Sequence, residues 1–303
     1  MAAALVVLNR RAGSGRAAGL EAALREALKR HHPGVALHAP RSTQEAARLV
    51  AAAPRGSRVV VVGGDGSLHQ LLPSILAAGH ELAVIAAGSG DDSARALGLK
   101  GLSGGRALTR ALTAPSVAVD IGWVRTEHEE RPFFSSLAAG FDAAVAQRAV
   151  SGPAWLQGTP RYLLATLREL AALRLYSVQI ALDGAPWHDG EVLFASTLNT
   201  PSYGGGMPAV PHASVHDGRL DLLLAGRFSR TAALLMLPRL LVGKHLGHRE
   251  LRCAGFSKLH IDSDSPLPQA ADGETLAAAR RISVRVGQQV LHVVTGPGAL
   301  DKP

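Results

Sequence analysis

The sequence predicts an α/β chain: a parallel sheet with helices on both faces, followed by a second, β-rich domain. Three observations lead there. Across the first third of the chain, apolar strand, polar glycine loop and helix recur in that order, the pattern of parallel β–α–β units. After about Val119 the texture changes to short apolar runs punctuated by Asp-Gly pairs, which mark turns between strands. With 303 residues, 47% hydrophobic and 18% charged, the chain is long and apolar enough to bury a core in each domain.

The elements follow in chain order. Residues 1–8 are apolar, too short for the core of a signal peptide and preceded by no basic stretch, so they read as a first buried strand centred on 5–8. A polar loop, 9–15, leads to a helix through about Arg30. Residues 35–37 form a short strand and Thr43–Ala52 a helix. The strand 59–62 runs into Gly63-Gly64-Asp65-Gly66-Ser67, with a helix expected over 68–77. The strand 82–86 meets Ala87-Gly88-Ser89-Gly90, then a short helix near 92–97. Open parallel sheets bind ligands beyond the carboxyl ends of their strands, which is where all of these glycine loops stand.

In the second domain, strands are expected at 123–125, 133–138, 177–182, 191–198, 220–224, 258–261 and 282–286. Asp183-Gly184, Asp189-Gly190, Asp217-Gly218 and Asp272-Gly273 supply turns, and helices interrupt at 161–173 and 229–241. A last strand, 290–294, is expected to return to the first domain. The division is therefore 1–122 with 290–303, and 123–289.

The glycine loops carry the chemistry. Glycines between a buried strand and a helix let successive backbone N–H groups point at one anion, and the following helix offers its positive end to the same place. Phosphate is the natural guest of Gly63, Gly64, Gly66 and Ser67. Asp65 would repel phosphate unless a magnesium ion or its waters stand between them, since Mg²⁺ takes oxygen ligands. The other reading is a tight turn with Asp65 as a helix cap. Gly88-Ser89-Gly90-Asp91-Asp92 repeats the logic, with Ser89 or Asp91 alternatively an N-cap. Asn9 opens the remaining polar loop, where Arg10 and Arg11 either meet phosphates or are solvated. A P-loop is excluded, because Gly243-Lys244 is followed by His245.

Composition narrows the partners. The net charge is +8, but the positive residues are scattered and aromatics are only 4%, which argues against a base-stacking surface for nucleic acid. The single cysteine, Cys253, cannot form an internal disulfide or build a zinc site from cysteines. It reads as a small buried apolar residue in a reducing, cytoplasmic compartment. No segment reaches the roughly 20 apolar residues that span a bilayer. The segments 161–174 and 239–252 mix apolar stripes with basic residues, which suits either packing on the sheet or contact with an anionic membrane surface. An exposed sheet edge could pair into a homodimer.

In order and spacing, the motifs resemble the diacylglycerol kinase catalytic-domain family, shared by bacterial lipid kinases, sphingosine kinases and ceramide kinases. Gly63–Ser67 stands for its Gly-Gly-Asp-Gly-Thr, and Gly88-Ser89-Gly90-Asp91-Asp92-Ser93-Ala94-Arg95 for its Gly-Thr-x-Asn-Asp-Phe-Ala-Arg. Val119-Asp120-Ile121-Gly122, Ala139-Gly140-Phe141-Asp142, Asn199, Gly204-Gly205-Gly206, Pro211, Asp217-Gly218-Arg219-Leu220-Asp221 and Asp272-Gly273-Glu274 resemble later parts of its pattern.

The resemblance implies a Rossmann-like N-terminal nucleotide-binding domain and a C-terminal β-sandwich, as in NAD kinases, with ATP between them. It implies γ-phosphoryl transfer to a lipid hydroxyl such as that of diacylglycerol or a sphingoid base. Asn9, Gly63, Gly64, Gly66, Ser67, Gly88, Ser89, Gly90, Asp91 and Arg95 would hold the nucleotide. Asp65, Asp92 and Asp120 would form a magnesium-linked network, with Asp65 catalytic. Asp217 would mark a separate cation site, and Glu274 would be the general base. Asp91 replaces the family's Asn, Ser93 its Phe, Arg10 a common Pro and Gln70 a common Glu. The other readings are an NAD kinase, which expects Asn-Glu where Asn199-Thr200 stands, and a non-catalytic binder that kept the fold.

Overall fold

The computed structural model describes residues 3–102, 104–153, 156 and 159–297. Met1, Ala2 and the end of the expected return segment, 298–303, lie outside the described residues. Contacts divide the chain into two compact units, Met1–Val119 with Gln289–Pro303, and Asp120–Gln288. Among the described residues, no helix is long and apolar enough to cross a membrane.

The first unit is built on a six-stranded sheet. Strands β1 (Ala4–Leu8), β2 (Ala36–His38), β3 (Arg58–Gly63) and β4 (Glu81–Ala86) run parallel in the order β2-β1-β3-β4. Beyond β4 come β16 (Leu291–Val294), parallel to it, and β5 (Ser116–Val119), antiparallel to β16. The valines of β1 and β3 are buried on both faces, as a sheet covered by helices requires. Val6, Leu8, Val60, Val62, Ala83 and Ile85 pack in one cluster with Leu24 and Leu28 of α1 (Arg16–His31) and with Leu108 of α5 (Gly104–Thr113). Helix α5 is absent from the sequence expectations. The helix α2 spans Thr43–Ala52 as predicted, capped by the Ser42 Oγ, which accepts the Glu45 N–H.

Helix α3 (Asp65–Ala78) begins earlier than expected. Gly64 is its N-cap, so Asp65, Gly66 and Ser67 form the first helical turn rather than a loop. Helix α4 (Asp92–Ala96) follows the loop after β4.

The second unit holds a ten-stranded sheet. Its main path is β13 (Leu251–Phe256), β12 (Leu220–Ala225), β11 (Phe194–Leu198), β8 (Ser136–Ala139), β14 (Lys258–Ala271), β15 (Glu274–Val286), β6 (Gly122–Thr126) and β7 (Glu130–Phe133). β9 (Tyr176–Leu182) pairs with β14 and with β10 (Ala185–Val192), antiparallel in both cases. β14 pairs with β9 through its first half and with β8 through its last residues, and its register breaks between Asp262 and Gln269. That irregularity lets one strand serve two neighbours along the same edge, a device that turns a sheet around its core. The core includes Val124, Leu137, Ile180, Leu222, Leu259 and Ile282.

Several short expected strands prove longer or divided. The polar, irregular middle of β14 hides its full length from an alternation pattern. The expected strand 133–138 divides into β7 and β8 around Phe134 and Ser135. Asp183-Gly184 and Asp272-Gly273 are tight turns with positive φ at both residues, as hairpins favour. Asp189-Gly190 instead lies inside β10. Helices α6 (Phe141–Val150), α7 (Thr159–Ala171) and α8 (Arg230–Leu241) complete the unit.

Candidate functional site

In the first unit, register Leu8↔Val62 and Gly63↔Ala86 brings β1, β3 and β4 to a level edge. The backbone ladder continues past it. The Asn9 N–H donates to the Val62 carbonyl at 3.0 Å and the Ala87 N–H to the Gly63 carbonyl at 2.9 Å. The Asn9 amide then donates to Ser67 Oγ at 2.8 Å, and its oxygen accepts the Arg11 N–H at 3.0 Å. Arg16 donates to the Gly88 carbonyl, and to that of Gly13 at 3.2 Å.

The glycines let these loops touch. A Cβ on Gly64 would stand 2.7 Å from the Gly88 Cα, and one on Gly88 would stand 2.5 Å from both the Gly64 Cα and Asp91 Oδ1. A Cβ on Gly63 would stand 2.6 Å from Ser67 Oγ, and one on Gly13, at φ +60, would collide with the Ala87 carbonyl. The sequence suggested glycines for close approach of a ligand. Gly13, Gly64 and Gly88 are required first by the approach of the loops to one another, and Gly63 by the Ser67 side chain of its own loop.

Asp65 fills only in part the cap role that the sequence left open to it. It is a cap, but of the next helix: Oδ2 accepts the Asp92 N–H at 3.0 Å and Oδ1 the Ser93 N–H at 2.9 Å. The α4 N-terminus is thereby satisfied, whereas α3 has no side-chain cap. The start of α3, at Gly64–Gly66, is therefore the helix end with no side-chain cap on its backbone N–H groups. Burial pushes the Asp65 carboxyl up, the Ser93 N–H pulls it down, and the charge of Asp92 pushes it up again. Asp92 is buried and pairs with Arg95 at 2.6 Å. Asp65 and Asp92, neighbouring carboxylates, are a donor set of the kind that fits a magnesium ion.

The remaining expected nucleotide residues divide. Ser89 is exposed on the loop, and the Gly90 carbonyl accepts from Arg95 at 3.3 Å and Lys100 at 3.4 Å. Asp91 turns inward: it is buried at φ 55, and its Oδ1 accepts the Gly88 N–H at 2.8 Å. It closes the loop rather than reaching out of it, and Asn and Asp are the side chains that tolerate this left-handed backbone. Burial raises its carboxyl, against the Gly88 N–H. Arg10 is paired with Glu21 at 2.6 Å, and Glu21 is pulled down to about 2, mainly by Arg10 and Arg25.

In the second unit, motifs distant in sequence meet around one backbone knot. The Asp272 carboxylate accepts the N–H groups of Phe134, Ser135 and Ser136 at 2.9, 2.6 and 3.1 Å. The turn is thus locked to the start of β8, and Glu274 opens β15 half-buried just beyond it. The buried Asn199 amide donates to the Phe134 carbonyl at 2.7 Å and to that of Asp120 at 3.0 Å. Asp120 Oδ2 accepts the Gly218 N–H at 2.8 Å; burial raises its carboxyl and the charge of Asp217 raises it further. Asp65 and Asp92 thus adjoin in the first unit, and Asp120 and Asp217 in the second.

Sequence reasoning treated Asp142 only as part of a helix start. Its Oδ2 accepts from Ser196 Oγ and from the Tyr203 hydroxyl, both at 2.8 Å. Burial pushes its carboxyl up to about 6 against those two bonds, and pushes the Tyr203 hydroxyl well above its usual range. A buried carboxyl raised in this way, bonded by two hydroxyls, can hold a proton that an exposed carboxyl would release. The one local signal is a carboxylate directly after Gly140-Phe141, which reads equally well as a first-turn helix charge.

Residues 3–124 match the diacylglycerol kinase catalytic domain, and residues 135–295 match the YegS C-terminal NAD kinase beta sandwich-like domain. The diacylglycerol kinase of Mycobacterium tuberculosis (strain ATCC 25618 / H37Rv) is 31% identical over 245 residues, covering 77% of this chain and 79% of that protein. The diacylglycerol kinase of Bacillus subtilis (strain 168) is 24% identical over 221 residues, covering 71% and 70%. The crystal structure of a diacylglycerol kinase from Bacillus anthracis str. Sterne superposes with a TM-score of 0.71 at 15% identity, covering 98% of each chain. An NAD kinase from Archaeoglobus fulgidus in complex with ATP superposes at 0.57 and 11% identity, covering 99% and 96%. The expected architecture, a parallel α/β unit followed by an antiparallel β-sandwich-type unit, is borne out.

Proposed function

This chain belongs to the diacylglycerol kinase family of lipid kinases, and from that premise we propose that it transfers the γ-phosphoryl group of ATP to a lipid hydroxyl. Diacylglycerol and sphingoid bases are the acceptor class. The observation that carries this reading is the level edge of β1, β3 and β4, where Asn9, Gly64 and Gly88 meet beside Asp65 and Asp92.

Phosphoryl transfer depends on positioning and charge neutralisation more than on covalent chemistry by the protein. The uncapped start of α3 receives phosphate through its backbone N–H groups, while Asn9 and Ser67 fix the neighbouring loop. Asp65 and Asp92 are the residues to hold magnesium, and that ion supplies the positive charge which reconciles carboxylates with phosphates. Arg95 holds Asp92 in place. Glu274 is the general base for the acceptor hydroxyl, and Asp272 acts through it by anchoring the turn. Asp120 and Asp217 are the second pair of cation-binding carboxylates.

The acceptor lies in a membrane. Helix α8 exposes Leu235 at 74% and Leu241 at 58%, with Arg230, Arg239 and Lys244 nearby in sequence. Helix α7, which contacts α8, exposes Leu163 and Leu167. Apolar side chains amid basic ones suit an anionic lipid surface, a preference that sedimentation with vesicles measures. An NAD kinase would need a carboxylate after Asn199; Thr200 stands there, buried against Ser135 Oγ at 2.7 Å.

Incubation with labelled ATP and a panel of lipids tests the proposal. Label in organic-extractable product is expected. Label in NADP, or ATP binding with no transfer to any lipid, would overturn it.

A further inference from the structure

His212, Asp221 and Cys253 converge at one point of the second unit, and none of them has a part in the proposed transfer. Asp221 lies on β12 and Cys253 on β13, where Asp221 faces Gly255 and Leu223 faces Cys253. Residues 221, 223 and 253 therefore share one face of the sheet. His212, from the loop before β12, closes the triangle. Its Nε2 stands 3.5 Å from Asp221 Oδ1 and 3.8 Å from Cys253 Sγ. All three ligand atoms lie within 4.8 Å of one another.

We propose that His212, Asp221 and Cys253 form a zinc site with a fourth position open to water. The edge lengths fit. With bonds of about 2.0 Å to nitrogen and oxygen and about 2.3 Å to sulfur, ligand atoms of a tetrahedral site stand about 3.3–3.5 Å apart. The two edges that meet at His212 Nε2, at 3.5 and 3.8 Å, lie at and just above that size, and the third lies within 4.8 Å. The burial pattern fits as well: the Asp221 side chain is 11% exposed and forms the floor, while His212, 60% exposed, forms a rim that can move onto the ion. Thiolate, imidazole and carboxylate together select zinc over magnesium, which demands oxygen ligands in an octahedron.

One cysteine excludes a zinc site made of thiolates, but this one needs a single thiolate. Cys253 is partly exposed rather than the buried apolar residue that composition suggested. Occupied, the site ties the segment 212–218, which carries Asp217, to β12 and β13. Its ligands differ from the oxygen-only pair Asp120 and Asp217, although the charge of Asp217 acts on Asp221.

The test uses the full chain, cleared of metal with a chelator and titrated with Co²⁺ and then Zn²⁺. Because Cys253 is the only cysteine in the sequence, any thiolate signal belongs to it. One equivalent of Co²⁺ is expected to give a thiolate-to-cobalt charge-transfer band that Zn²⁺ bleaches. Zn²⁺ is expected to slow alkylation of the thiol. Cys253→Ser removes the band. His212→Ala, at an exposed position with circular dichroism as the check on folding, weakens cobalt binding by at least the ~10-fold that loss of even an outer-shell partner brings. Cobalt binding without the band, a His212→Ala protein that binds as tightly as wild type, or alkylation indifferent to Zn²⁺ would each overturn the site.

Discussion

Replacing Asp142 with Asn should change how stability depends on pH, and the structure sets the direction. Burial raises the Asp142 carboxyl from 3.8 to about 6. Between those values the folded protein holds a proton that the unfolded chain has released. Stability therefore falls as pH rises through this window and levels off above it. At about 1.4 kcal/mol per unit, a shift of about 2 units corresponds to roughly 2–3 kcal/mol. Asn keeps an oxygen to accept from Ser196 and Tyr203 but does not titrate. Urea unfolding of both proteins at about pH 4 and about pH 7.5 isolates the effect, because all other titrating groups cancel in the difference. The variant is expected to gain roughly 2–3 kcal/mol over wild type on going to the higher pH. Parallel profiles for the two proteins would refute the account of Asp142 as a buried, proton-holding carboxyl.

Asp65→Asn is expected to abolish phosphoryl transfer and to weaken the α4 cap, since its amide oxygen accepts one α4 N–H while its NH2 group faces the other; near-wild-type turnover would contradict the role of the carboxylate. Asp65→Ala should in addition lose about 1 kcal/mol by uncapping α4, which thermal denaturation reads. Glu274→Gln keeps shape and loses basicity, so turnover should vanish while ATP binding by calorimetry is retained; loss of ATP binding would move Glu274 to the nucleotide site. Leu235→Glu on the exposed face of α8 should reduce co-sedimentation with anionic vesicles, and wild-type protein that shows no preference for anionic lipid would remove the membrane proposal.

The parts of this protein that are legible in its sequence are those written in local pattern. The valine runs of β1 and β3 and the glycines after them announce a parallel sheet and its ligand edge. The Asp-Gly pairs at 183 and 272 announce hairpins. What escapes is what depends on distant partners. Asp65 could not be assigned to α4 because the N–H groups it accepts lie 27 and 28 residues away. The role of Asp142 was hidden because Ser196 and Tyr203 lie 54 and 61 residues on. The full length of β14 was hidden by its irregular register, since alternation fails where a strand serves two neighbours. Asp91 reads as a charge beside the nucleotide until the left-handed backbone turns it onto Gly88.

The central claim is that the edge formed by Asn9, Gly64 and Gly88 holds a triphosphate beside Asp65. A crystal structure with ATP and magnesium tests it most directly. Phosphate oxygens against the first turn of α3, with the metal between them and Asp65, are the predicted result. A nucleotide bound elsewhere on the first unit, or a metal with no path to Asp65, would contradict it.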